Sequence, residues 1–139
     1  MNRRIRAIET LRRLEERELD LLSRELCAVR DARIEAEARI TELDRRASIE
    51  ASSSLPEALP YIGRFLATIR REQSREAARA RQLSGEIETL RDQVMTRFSS
   101  EKTYSSLNER LREAIRDARL HKEEAMIEDI TSARFRREA

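Results

Sequence analysis

The chain has 139 residues, 40% of them charged, with 29 basic and 27 acidic side chains leaving a net charge of +2, and it holds only three Phe, two Tyr and no Trp. So little apolar bulk excludes a broad globular core, and two Gly with two Pro are too few breakers for a many-stranded or many-looped fold. No run approaches the length of a membrane span. Residues 1–13 carry five Arg with no apolar stretch behind them, so no secretory signal is read and a cytoplasmic chain is expected.

The first element is a helix expected over residues 3–49. It contains neither Gly nor Pro, and Glu, Arg and Ala fill its outward positions. Leu22, Leu26, Val29, Arg33, Ala36, Ile40, Leu43 and Ala47 follow one another at alternating steps of four and three. Such steps average about 3.5 residues, close to one helical turn, and draw a single narrow stripe. Glu9 to Arg13, Glu35 to Arg39 and Glu42 to Arg46 have the spacing and order that support a helix locally. Towards the N-terminus Ile5, Ile8, Leu11 and Leu14 share a face, while Arg12 and Glu15 occupy the positions the stripe would use. Fraying or a register shift is expected there.

A turn is expected over residues 50–58. Ser52, Ser53 and Ser54 compete for backbone groups, and Leu55 is pushed out of the helical region by Pro56. The second helix is expected over residues 59–133, with Pro56 and Pro60 placed to open it and Gly63 and Gly85 tolerated inside it. The stripe returns at Ile69, Ala80, Leu83, Ile87, Leu90, Val94, Tyr104, Leu111, Ile115, Ala118 and Ala125, and the same register passes through Gln73, Glu76, Arg97, Glu101 and Asn108. Polar residues at these positions weaken a seam, and they either specify register or mark a loosely packed pair.

One stripe on each side of one breaker predicts an all-α protein: a long antiparallel two-helix coiled-coil hairpin with a longer second helix, in a single domain covering 1–139. At 1.5 Å per residue the helices span roughly 70 and 110 Å. If Ala47 lies across from Tyr61, then Ile5 lies near Thr103, and residues 104–139 overhang without a partner. Leu107, Leu111, Ile115 and Ile127 are the candidate binding residues on that overhang.

No catalytic chemistry is legible. There is no phosphate-binding Gly-rich loop, and the single His121, beside Lys122, Glu123 and Glu124, cannot build a metal cluster. Carboxylates abound, but on solvated helix faces. No enzyme, cofactor or metal is expected. Cys27 reads as a small filler beside the seam in a reduced compartment. The basic and acidic residues are intermixed, without the basic stripe and interleaved aromatics that nucleic acid requires. Against this background Leu55, Leu59, Tyr61, Ile62, Phe65, Leu66 and Ile69 concentrate apolar bulk near the turn, on an arc wider than one seam covers.

This layout, with its stretch Tyr61-Ile62-Gly63-Arg64-Phe65-Leu66-Ala67-Thr68-Ile69 opening the second helix, resembles the flagellar export protein FliJ family. The resemblance implies a stalk-like component of the flagellar type III export apparatus at its cytoplasmic face. It implies insertion into the hexameric export ATPase FliI and contact with the export gate protein FlhA, with export chaperones as further candidate partners. The related stalk proteins of virulence secretion systems share the fold. Phe65 and Ile69 match the family's gate-contacting Phe and Leu, and Tyr61 lies one turn before them. Glu72 and Glu76 stand where the family has small and His residues, a departure in the lower half of that surface. Leu107, Leu111, Ile115 and Ile127 would then face the ATPase ring. Two other readings stand beside this one: a structural homodimeric coiled coil joined through the overhang, and a basic arm at residues 1–13 binding nucleic acid or anionic membrane.

Overall fold

The computed structural model describes residues 3–52 and 55–138 and is an all-α hairpin, with helix α1 at Arg3–Ala51, a short 3-10 turn at Pro56–Ala58, and the longer helix α2 at Leu59–Glu138. Both helices outrun their expected ends at 49 and 133. Of the serines expected to make the turn, Ser53 and Ser54 lie outside the described residues. Ser52 behaves as its chemistry requires: its amide donates to the Ser48 carbonyl at 3.2 Å and its hydroxyl to the Ile49 carbonyl at 2.7 Å, closing the last turn of α1. Leu55 before Pro56 is extended, with φ −81° and ψ 118°, and its carbonyl accepts the Ala58 amide at 3.1 Å. Pro60 then falls in the first turn of α2, where its missing N–H leaves no hydrogen bond unmade.

The chain divides into two compact units, Leu19–Thr96 and Met1–Glu18 with Arg97–Ala139. The first has the apolar seam. Leu26, Ile87 and Leu90 form its buried cluster with Leu22 and Val29 packed against them, and Ala36, Leu43 and Ile69 are buried further along. The side chain of Gln73 donates to Asp44 Oδ1 at 2.6 Å and to the Ile40 carbonyl at 3.4 Å, and Arg39 reaches Glu76 at 3.3 Å. Arg39 thus crosses the seam instead of pairing with Glu35, whereas Glu42 holds Arg46 at 3.7 Å and Arg45 at 2.6 Å on its own helix.

In the other unit the stripe keeps its register through residues 5–18, contrary to the fraying or shift expected there. Ile5 is buried, Arg12 and Glu15 are half-buried, and Leu11 and Leu14 are turned to solvent. The reason is pairing: Glu15 meets Arg97 at 3.1 Å and Arg12 meets Glu101 at 3.5 Å. In this unit Arg12 and Glu15, the charges that interrupt the stripe on α1, each find an opposite charge that interrupts it on α2.

Gly63 and Gly85 are in helical backbone, and an added Cβ at either would meet nothing within 4 Å. Gly63→Ala and Gly85→Ala are therefore expected to raise stability by about 1 kcal/mol each, through helix propensity and a less flexible unfolded chain. Thermal unfolding followed by circular dichroism checks this.

Candidate interaction surfaces

The turn end of unit Leu19–Thr96 sorts its apolar residues by their distance from α1. Ile69 is 4% exposed and belongs to the seam, so it is not available to a partner as expected. Ile62 and Leu66 are half-buried, while Phe65 is 37% and Tyr61 80% exposed. Leu55, Leu59 and, on α1, Ile49 are exposed as well. The cause is the offset of the two helices. Asp44 and Arg39 meet Gln73 and Glu76, so Ala47 lies about two turns further along α2 than Tyr61, and the first turns of α2 run past the end of α1. Ile49 was missed in the sequence because it stands off the stripe; its place near the level of Phe65 follows only from that offset.

The same correction moves the free segment. Asn108 Nδ2 donates to Glu9 Oε2 at 3.0 Å, and Ile5 shares a cleft with Arg112, Ile115 and Arg116. Residues 104–115 are therefore paired, not overhanging, and Leu111 and Ile115 are half-buried beside α1. Leu107 is exposed on the flank of the pair, and of the four candidate residues only Ile127, 63% exposed, lies in the segment that has no part of α1 beside it. That segment begins after Arg116 and covers 117–138, about 33 Å of helix in which every residue is exposed. Its seam positions after Ala118 read Lys122, Ala125, Asp129, Ser132 and Arg136, so the stripe becomes polar where its partner ends. Leu120, Met126, Ile127 and Ile130 instead gather on a different arc, centred roughly 140° round the helix and so largely opposite the stripe. This change of face was the signal for Leu120 and Met126, which an extrapolated 4,3 count passes over.

The electrostatics concentrate at Glu9. The Arg12 guanidinium, bonded to it at 2.8 Å and 3.1 Å and helped by Arg13, holds its carboxyl down to about 2, against the opposing effect of desolvation. Glu42 is lowered for the same reason, by Arg45 and Arg46. Cys27, expected beside the seam, is exposed, and His121 is exposed with Glu124 at 3.9 Å. Among the described residues no group of His, Cys, Asp and Glu is placed to hold a metal ion, and no helix is long and apolar enough to cross a membrane. No family model, curated protein or solved structure matches this chain.

Proposed function

We propose that this chain is a non-enzymatic component of a flagellar-type protein export apparatus, a stalk-like hairpin that binds a hexameric export ATPase and an export gate protein on the cytoplasmic side. The observation that carries this reading is two groups of uncovered apolar side chains, one beside the turn at Ile49, Leu59, Tyr61 and Phe65 and one in the unpaired end of α2 at Leu120, Met126, Ile127 and Ile130. Other exposed apolar residues, such as Leu14, Leu21, Ile34, Met95 and Phe98, are spread along the helices. Large apolar groups left outside a seam favour protein contacts. The turn group, with the FliJ-like stretch at residues 61–69, is assigned to the gate; the α2 end is assigned to the ATPase ring.

Tyr61→Ala with Phe65→Ala is expected to weaken binding to an FlhA-type gate at least about fivefold, equivalent to about 1 kcal/mol, without lowering the melting temperature. Ile69→Ala is the control, since a buried seam residue lowers the melting temperature instead. Unchanged gate affinity in the double variant removes the gate assignment. The arc Leu120, Met126, Ile127 and Ile130 also favours a second reading, a homodimer joined through these helices, for which a dimeric mass in solution is the deciding measurement.

A further inference from the structure

The two units close their seams with different chemistry. Between Leu19 and Thr96 the helices meet through Leu22, Leu26, Val29, Ile87 and Leu90. In the other unit, the α1 positions turned to α2 are Ile5, Ile8, Arg12 and Glu15; Ile5 is buried and shares a cleft with Ile115, and beyond it the helices are joined by polar contacts, Glu15 with Arg97, Arg12 with Glu101, and Glu9 with Asn108. Asn108 is 5% exposed, and its Oδ1 has no hydrogen-bond partner among the described residues. Glu9 is also drawn sideways, to Arg12 and Arg13 of its own helix. A partly exposed ion pair contributes less to a seam than a buried Leu or Ile does. A buried amide with an unmet oxygen contributes less still. Residues 3–18 are thus the weakly held part of α1.

What they cover is apolar. Tyr104, Leu111 and Ile115 are half-buried in the register that faces α1. We propose that residues 3–18 form a displaceable arm, latched over the Tyr104–Leu111–Ile115 face by the Glu15–Arg97 and Arg12–Glu101 pairs, and that opening the latch uncovers this face while the apolar pairing of residues 22–47 holds. The proposal concerns the isolated chain and does not depend on the export reading.

Hydrogen exchange of the full chain tests it. Raising salt from about 0.01 M to about 1 M shortens the screening length from about 30 Å to about 3 Å. Exchange over residues 3–18 and 104–115 is expected to accelerate at least about tenfold, with residues 22–47 and 69–94 changing less than about twofold. Arg12→Leu with Glu101→Leu is expected to reduce that salt response to what the remaining Glu15–Arg97 pair carries, and to slow exchange over the same residues. Arg12→Glu, which sets like charges together at Glu9 and Glu101, is expected to open the arm already at low salt. That variant keeps the test decisive if the apolar pair oligomerises. Protection of residues 3–18 that is absent at low salt, insensitive to salt, or unaltered by Arg12→Glu overturns the latch.

Discussion

Replacing Leu90 by Ala is expected to destabilise the chain by about 2–3 kcal/mol, and replacing Leu26 by a similar amount, because both lie in a buried cluster with Ile87. The value falls short of the largest core deletions, since a seam between two helices leaves each side chain close to solvent and lets the neighbours relax into the gap. Leu22 and Val29 pack against the same cluster, so the double variant should lose less than the two single losses combined. Urea unfolding followed by circular dichroism measures all three. Leu14→Ala is the contrast: its side chain is exposed, and a change within about 0.5 kcal/mol is expected. Leu90→Ala and Leu26→Ala with wild-type midpoints would show that the helices meet on another face.

Residues 117–138 are expected to exchange their amide hydrogens at least about a hundredfold faster than residues 22–47 in the isolated chain. A helix with no tertiary partner is supported only by propensity and local ion pairs, and segments of this length are marginal in water. His121 and Glu124, 3.9 Å apart on the surface, illustrate how little holds it. The boundary is informative in itself. Protection should fall near Arg116, where the cleft shared with Ile5 ends, and not at Tyr104 as the sequence-based pairing implied. Equal protection of residues 26–43 and 118–135 in the monomer would show that this end of α2 has a partner after all.

Fold class, the helical face of each seam and the place of the break were legible in the sequence, and for one physical reason. A 4,3 spacing can bury its apolar positions only as a helix against another helix, and Pro after Leu55 forbids α1 from simply continuing. Even the polar seam positions, Gln73, Glu76, Glu101 and Asn108 on α2 with Arg12 and Glu15 on α1, were placed by that count and are partly or fully buried where it put them.

What the sequence left open was the offset between the helices. A stripe that repeats every seven residues superposes on itself after a slip of one heptad, so apolar spacing alone scores neighbouring alignments nearly alike. Only the tertiary structure decided it, through the extended Leu55, the 3-10 turn at Pro56–Ala58 and the partners chosen by the polar residues, Gln73 with Asp44 and Arg97 with Glu15. That offset put Ile69 inside the seam while leaving Phe65 outside, brought Leu111 and Ile115 beside α1, and left residues 117–138 uncovered. Local spacing fixes which face of a helix is buried; where along its partner it is buried depends on contacts between residues far apart in the chain.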